Sequence, residues 1–210
     1  MEEQKVTTRG IALDIDETLA ATNYYWVRML EERFGNPEHL PHKEIIRRYR
    51  YTQHVPFWQT PEALAWMEEA RNSDEIQEEI LLIEDADHVV ERLHKVVPIS
   101  AYITARPEGV RRGTKRWLAR HGFPEAPLIM RPTDLIHEDS TKWKAELLAS
   151  LYPTVRGIID DNASLLLHLP ENYGGTIFLY DHTEAPKTDI KVVAVKRWDD
   201  VLSAVSALLH

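Results

Sequence analysis

The side chains best suited to chemistry are two carboxylates spaced one residue apart, Asp14 and Asp16, at the end of a short apolar run. The run Gly10-Ile11-Ala12-Leu13 predicts a buried strand that carries both acids at its C-terminal tip. Two anions placed together cost free energy unless a cation or a reacting group compensates them. Hard oxygen ligands of this kind suit Mg²⁺. The spacing therefore predicts a magnesium site, although an acidic surface loop explains an isolated Asp-x-Asp equally simply.

Further polar residues follow or lie between later apolar runs of the chain. They are Thr104-Ala105-Arg106-Pro107 after Val96 to Ile103, Asp160-Asp161-Asn162 after Val155 to Ile159, and Lys142 and Lys144 on the helix between them. Each group alone fits a helix cap or a turn. If the strands are parallel, however, their carboxyl ends meet at one edge of the sheet, where ligands bind in folds of this type. The groups together predict one site.

Strands and helices alternate regularly from Ala86 onwards. The predicted helices are Asp87 to Lys95, Glu108 to His121, Thr141 to Leu151 with Ser140 as N-cap, Ala163 to Leu169 and Asp199 to Leu209; the predicted strands are Val96 to Ile103, Leu128 to Met130, Val155 to Ile159 and Thr176 to Tyr180. Such alternation predicts an α/β fold, a three-layer α/β/α Rossmann-like arrangement with a parallel sheet covered on both faces.

A helical segment, residues 20–83, interrupts this pattern directly after the first strand. It has few β-branched residues and is broken at several prolines. We therefore divide the chain into a core, residues 1–19 and 84–210, and a small helical insert, residues 20–83. The insert is rich in aromatic rings, of which Tyr24 and Tyr25 lie nearest the predicted site; core packing is the alternative for both.

Composition limits the classes of function. The chain has 210 residues, a net charge of −9 and no cysteine, which excludes disulfides, thiolate metal sites and a cysteine nucleophile. The acidic balance disfavours binding to long nucleic acid, and the basic run from Arg111 to Arg116 is interpreted as a solvated helix face. No stretch predicts a signal sequence or a membrane span, so we expect a cytoplasmic protein without a membrane partner.

The ordered set of motifs resembles that of the haloacid dehalogenase-like (HAD) superfamily of phosphohydrolases. In chain order, the matches are Asp14, Asp16 and Thr18 for motif one, Thr104 for motif two, Lys142 or Lys144 for motif three, and Asp160 and Asp161 for motif four. The resemblance spans Gly10 to about Leu167. It implies a HAD-like core whose insert is a C1-type cap that selects the substrate.

Within the superfamily, Thr-Ala-Arg-Pro and the helical insert look most like cytosolic 5'(3')-deoxyribonucleotidases and the phosphatase domains of polynucleotide kinases. Those nucleotidases tend to carry Gly where this chain has Glu17. The resemblance implies a Mg²⁺-dependent phosphomonoester hydrolase of a small phosphorylated substrate, with nucleotides as one candidate class.

The resemblance also implies roles for individual residues. Asp14 would attack phosphorus and form an aspartyl-phosphate, and Asp16 would act as general acid and base. Mg²⁺ would be held by Asp14, the Asp16 carbonyl and Asp160, with Asp161 through water. The residues implied to bind the phosphate or the rest of the substrate are Thr104, Ala105, Arg106 and a lysine; Arg106 has the alternative of pairing with a neighbouring acid.

Helix geometry favours one of the two lysines. Lys144 shares the i, i+3, i+4, i+7 face with Leu147, Leu148 and Leu151, whereas Lys142 lies off that stripe. We therefore predict Lys144 as the phosphate-binding lysine, with Lys142 as the alternative.

Three other interpretations remain. A receiver domain joins similar residues, but it places its acidic pair before the Thr and the Lys, and it has no such insert. A HAD-like fold kept as a non-catalytic phosphoryl-ligand-binding or scaffold protein is the second. A dehalogenase is the third, and the presence of Asp16 argues against it. The oligomeric state is left open.

Overall fold

The computed structural model describes residues 5–49 and 51–209. Six strands form one sheet in the order β3-β2-β1-β4-β5-β6, and every neighbouring pair is parallel. The strands are β1 Gly10–Leu13, β2 Ile99–Pro107, β3 Leu128–Arg131, β4 Val155–Asp160, β5 Thr176–Tyr180 and β6 Lys191–Val195. The predicted α/β class with a parallel sheet is confirmed.

Eight α-helices connect or precede these strands in the described ranges. They are α1 Thr22–Phe34, α2 His42–Tyr49, α3 Pro61–Arg71, α4 Asp74–Glu79, α5 Ala86–Val96, α6 Arg111–Arg120, α7 Ser140–Leu151 and α8 Trp198–Leu209. Short 3-10 helices occur at Thr52–His54, Pro56–Trp58, Glu108–Val110, His137–Asp139 and Ala163–Leu167.

The sheet is covered on both faces because successive side chains of its strands point to opposite sides. Ile11 and Leu13 of β1 join one apolar cluster, to which α5, α6 and α8 contribute buried residues. Ala12, between them, joins a second cluster with Ala145 and Leu148 of α7. The result is the predicted three-layer arrangement.

The helical segment after β1 has an apolar cluster of its own. Its buried members come from α1 to α3 and the loops between them: Val27, Leu30, Ile45, Val55, Trp58, Ala63 and Met67. The two ends of the segment meet at the core, where Ala20 and Leu82 form an antiparallel bridge. Backbone hydrogen bonds from Ala21 to Leu81 and from Ile83 to Leu19, both 2.8 Å, flank that bridge.

Helix α4 lies against α6 of the core through charged side chains. The Asp74 carboxylate accepts hydrogen bonds from the Gly113 backbone N–H (2.6 Å) and from Arg112 Nε (3.0 Å). Arg116 Nε donates to Glu78 at 2.7 Å. The basic run that the sequence predicted as a solvated face therefore supplies the contacts that hold α4, because acidic partners lie on the helix facing it.

Several element boundaries differ from the predictions. Strand β6 was not predicted, and β2 continues through Thr104-Ala105-Arg106-Pro107 rather than ending at Ile103. The predicted helix from Ala163 is a 3-10 helix that ends at Leu167. Ser140 is the first residue of α7 rather than its cap; the cap position is Asp139, and no side-chain cap hydrogen bond forms.

Candidate active site

Strands β1 and β4 bring three carboxylates together at the carboxyl edge of the sheet. Asp14 follows β1, and its N–H donates to the Ile159 carbonyl of the neighbouring strand at 2.9 Å. Asp160 is the last residue of β4, and Asp161 follows it. Ligand oxygens of Asp14, Asp160 and Asp161 all lie within 4.8 Å of one another. The parallel pairing of the two strands thus places the acids of two distant motifs in one cluster.

Lys144 of α7 reaches into this cluster. Its Nζ donates to Asp14 Oδ1 at 2.6 Å and to Asp160 Oδ2 at 2.9 Å, and its side chain is only 8% exposed. Burial alone would lower the pKa of this lysine, but the two carboxylates outweigh it and raise the pKa above the ordinary value. Lys142 is exposed, and its nearest carboxylate is Glu146 at 4.0 Å. Of the two predicted lysines, the structure brings Lys144 to the site.

The cluster still lacks positive charge. Burial raises the pKa of Asp14 to about 7, partly opposed by Lys144. Burial, together with Asp160 and Asp14, raises the pKa of Asp161 well above its usual value. One ammonium group faces three carboxylates, so a divalent cation with oxygen ligands fits the charge and the chemistry of this donor set.

Asp16 lies beside the cluster and is held by a fork of hydrogen bonds. Arg106 donates from Nε (3.0 Å) and Nη2 (2.8 Å) to Asp16 Oδ1, and the Thr22 hydroxyl donates to the same oxygen at 2.6 Å. Burial would raise the pKa of Asp16, but Arg106 and Thr22 more than offset it and lower the pKa below the usual value. The resting Asp16 is therefore an anion.

Thr104, Ala105 and Arg106 stand together at the end of β2. The fully buried Thr104 hydroxyl lies 3.5 Å from Asp16 Oδ2 and accepts the Arg106 backbone N–H at 3.2 Å. The Arg106 side chain is 3% exposed and pairs with Asp16, which is the alternative that the sequence left open. The third guanidinium nitrogen, Nη1, is buried without a hydrogen-bond partner in the described structure.

Glu17 occupies a left-handed backbone conformation with φ of 58°. This conformation is costly for residues other than glycine. Its carboxylate accepts the Asn23 backbone N–H at 2.6 Å, which ties the turn after Asp16 to the first turn of α1. Burial raises the pKa of Glu17 to about 7.

The sequence did not reveal several supporting residues. Thr22 bonds Asp16, the Asn162 N–H donates to Asp160 Oδ1 at 2.8 Å, and a His182 ring nitrogen lies 3.1 Å from the Asp161 carbonyl. The Asn162 contact is a local Asx turn within the run Asp160-Asp161-Asn162, whereas no sequence spacing identifies the Thr22 and His182 contacts, because each depends on how a loop folds back. Of the two tyrosines suggested to face the site, Tyr25 is fully buried and its hydroxyl donates to Glu79, whereas Tyr24 is 41% exposed and packs edge-on against His42.

Comparisons with known proteins relate the chain to one fold. A family model described as the PITM 1-3, LNS2 domain matches residues 70–161. No curated protein matches the chain. Among solved structures, it is similar to a HAD family hydrolase from Deinococcus radiodurans R1 with bound phosphate and sodium. That pair shares 18% identity and a TM-score of 0.56, and the match covers 97% of each chain.

A second similar structure is L-2-haloacid dehalogenase from Xanthobacter autotrophicus with chloropropionic acid covalently bound. It shares 16% identity and a TM-score of 0.54, covering 96% of this chain and 100% of that one. A HAD-superfamily hydrolase from Ehrlichia chaffeensis shares 16% identity and a TM-score of 0.50, covering 97% and 100%. The chain has the HAD-like fold, as the motifs predicted.

Proposed function

We propose that this chain is a Mg²⁺-dependent phosphomonoester hydrolase of the HAD type that acts on small phosphorylated molecules. The observation that carries the proposal is the cluster of Asp14, Asp160 and Asp161 around Lys144, with Asp16 alongside. Hydrolysis of a phosphate monoester needs a nucleophile, a proton donor and cations for the phosphoryl oxygens. This one edge of the sheet offers a residue for each task.

In the proposed mechanism, Asp14 attacks phosphorus and forms an aspartyl-phosphate while the alcohol leaves with a proton from Asp16. Asp16 then takes a proton from the water that cleaves the acyl phosphate. Lys144 and the Thr104 hydroxyl bind phosphoryl oxygens, where negative charge is concentrated in the transition state. Asp16 must gain a proton before the first step, because Arg106 and Thr22 favour its anion.

Asp14, Asp160 and the Asp16 carbonyl would hold the Mg²⁺, with Asp161 through water. When bound, this ion neutralises charge on the nucleophile and the phosphoryl group. Among the described residues, Lys144 is the cation that contacts Asp14 and Asp160. The HAD-like fold and this acidic group support a hydrolase in general; the metal and the phosphate ester are our proposal.

Asp16 also distinguishes the proposal from a dehalogenase, although one of the similar structures is a dehalogenase. A halide ion leaves without a proton, so displacing it requires no acid beside the nucleophile. An alkoxide leaves far more readily when an acid protonates it. Asp16, held toward the site by Arg106 and Thr22, supplies such a group.

The remaining parts of the proposal concern specificity and location. Residues 20–83 would act as a C1-type cap, and nucleotides are one candidate substrate class. We propose a cytoplasmic enzyme with neither long nucleic acid nor a membrane as partner. In the part of the chain that the structure describes, no helix is long and apolar enough to cross a membrane.

The test is phosphate release from nucleotides, sugar phosphates and p-nitrophenyl phosphate, with Mg²⁺ or EDTA, for the wild type and Asp14→Asn. We expect Mg²⁺-dependent turnover that the substitution abolishes. The exposed Asp199→Asn in α8 serves as the control and should behave as the wild type. Turnover that survives in Asp14→Asn would refute the nucleophile, and a folded wild type inactive on every ester would favour a non-catalytic phosphoryl-binding protein.

A further inference from the structure

Glu17 has an unusual backbone conformation for a glutamate. Its φ of 58° lies in the left-handed region, which glycine adopts at little cost and other residues avoid. A residue with a side chain keeps this conformation only where its surroundings enforce it, and such residues concentrate at functional sites. Glu17 directly follows Asp16 in the chain. Its side chain is therefore a candidate for a role in the site.

The Glu17 carboxylate takes the place of a helix cap. Helix α1 begins at Thr22; Ala21, at its cap position, makes no side-chain cap hydrogen bond, and the first turn contains no acidic residue. Glu17 accepts the backbone N–H of Asn23, the second residue of the helix, at 2.6 Å. A cap side chain normally accepts from the second or third residue of a helix, and an anion near the N-terminus also favours the helix dipole. Glu17 thus fixes the start of α1 from outside the helix.

The same turn of α1 holds Asp16. Thr22, the residue before Asn23, donates from its hydroxyl to Asp16 Oδ1 at 2.6 Å. The consecutive acids Asp16 and Glu17 therefore bind two consecutive residues of the helix. The loop between them is closed by a bridge from Asp16 to Ala20 and by the Glu17 N–H, which donates to the Ala20 carbonyl at 2.8 Å. A shift in the start of the helix would move the Thr22 hydroxyl relative to Asp16.

Other contacts hold α1 in place when the Glu17 carboxylate is removed. The Ala21 N–H donates to the Leu81 carbonyl at 2.8 Å, and the Tyr25 hydroxyl donates to Glu79 at 2.9 Å. Neither contact involves Glu17. Loss of the carboxylate should therefore loosen the first turn of α1 without unfolding the protein.

We propose that Glu17 is a positioning residue: by anchoring the first turn of α1, it holds the Thr22 hydroxyl against Asp16 and so keeps the general acid aimed at the leaving group. The inference rests on the proposed function for the role of Asp16. Glu17 itself contacts no reacting atom in this role. Because proton transfer requires hydrogen-bond distance, a small displacement of Asp16 is enough to slow it.

Two esters with different leaving groups test the position of the acid. A p-nitrophenolate ion leaves without a proton, whereas propoxide needs one. The ratio kcat/KM covers the steps up to departure of the alcohol, so it reports on the attack by Asp14. In Glu17→Gly, kcat/KM for propyl phosphate should fall about tenfold or more, while kcat/KM for p-nitrophenyl phosphate should stay within about twofold.

Two further variants separate the carboxylate from the backbone. Asp85→Gly makes the same backbone change at the other end of the insert, where Asp85 is exposed, has φ of 64° and makes no side-chain cap hydrogen bond. It should keep the wild-type ratio between the two esters. Glu17→Gln retains an oxygen that can accept the Asn23 N–H, so it should recover most of the activity that Glu17→Gly loses on propyl phosphate.

Hydrogen exchange gives a readout that needs no turnover. The Asn23 amide should exchange about tenfold faster in Glu17→Gly than in the wild type, because its acceptor is gone. Glu17→Gln should restore slow exchange of this amide. Asp85→Gly should leave it unchanged.

An equal loss on both esters would overturn the proposal, because it would show a general disturbance of the site. A Glu17→Gly variant with the wild-type ester ratio, or with wild-type exchange of the Asn23 amide, would also overturn it. A wild type that hydrolyses neither ester would refute the proposed function. In that case the exchange data still decide on the anchor: faster exchange that Glu17→Gln reverses supports it, and unchanged exchange refutes it.

Discussion

Lys144 stands between Asp14 and Asp160 and offsets part of their mutual repulsion. Its charge is fixed there, because the two carboxylates hold its pKa above the ordinary value. A lysine that is always protonated can bind phosphoryl oxygens but cannot serve as a base. The exposed Lys142, two residues earlier, has no comparable surroundings.

Replacing each lysine in turn separates their roles. Lys144→Met should lower kcat by about 10²–10³-fold, as expected when one preorganised cation is removed from the transition state. Lys142→Met should leave the steady-state rate within about twofold, because surface ion pairs contribute little. Rates measured on one substrate check both variants, and circular dichroism confirms folding. A stronger effect from Lys142→Met would transfer the role to that residue.

The Arg106 fork leads to a pH prediction. Arg106→Gln removes the main group that lowers the pKa of Asp16, so burial will dominate and that pKa will rise. A general acid works only while protonated, so the limb of the kcat profile that falls with increasing pH should move to higher pH in the variant. The full pH–rate profiles of wild type and variant give the comparison. Superimposable limbs would show that Asp16 is not the acid.

The sequence predicted which residues would lie at the candidate active site, but it did not predict all of the contacts between them. The side chains that end strands could be foreseen, because the carboxyl ends of parallel strands share an edge. The pairing of Arg106 with Asp16 joins positions 90 residues apart, and sequence reasoning left it as one of two alternatives.

Among the helices, α4 and α6 show how the insert is fixed to the core. Gly113 of α6 lets the helices approach closely: a Cβ there would lie 2.3 Å from the Asp74 carbonyl oxygen. The Trp117 indole N–H donates to the Ile80 carbonyl at 2.7 Å on the same face. The close approach requires a residue without a side chain at this position.

Gly113→Ala should therefore destabilise the protein by about 1–3 kcal/mol, as other overpacking substitutions do. Gly109→Ala is the matched control, because an added Cβ there meets nothing within 4 Å. Denaturant unfolding of both variants gives the difference in free energy. A Gly113→Ala variant as stable as the control would mean that the α4–α6 contact yields easily.

The element predictions succeeded where periodicity is strong and failed at the edge of the sheet. The helices of the core were found from their apolar stripes. Strand β6, with the sequence KVVAV, was not predicted although four of its five residues are apolar; it lies at the edge of the sheet, where its first four residues are exposed or only partly buried. The 3-10 helix at Ala163–Leu167 has the composition of an α-helix, and its hydrogen bonds decide the type.

For the whole molecule, the acidic cluster links stability to pH and to metal. The pKa of Asp14 in the fold is about 7, above the ordinary value near 3.8. Between those values the folded state binds more protons than the unfolded state, so the free energy of unfolding falls as pH rises. A cation that binds the ionised carboxylates opposes this loss.

Mg²⁺ should consequently raise Tm more at pH 8 than at pH 5. In EDTA, Tm should decline across the same interval. Thermal unfolding at both pH values, with Mg²⁺ or EDTA, tests the linkage. In Asp161→Asn, which removes one of the ionised groups, the Mg²⁺-induced shift should shrink. An equal shift at the two pH values would exclude the cluster as the metal site.

The backbone bridge between Ala20 and Leu82 has a consequence for how such a chain can diversify. Because the polypeptide leaves and re-enters the core at one point, the length and sequence of the intervening loop-and-helix module can change without altering the register of any strand. Insertions and deletions within residues 20–83 therefore leave the positions of Asp14 and Asp160 unchanged. Natural or laboratory selection can thus exchange much of the module while Asp14 and Asp160 stay in place, provided that the Thr22 hydroxyl that bonds Asp16 and the contacts of α4 with α6 are retained.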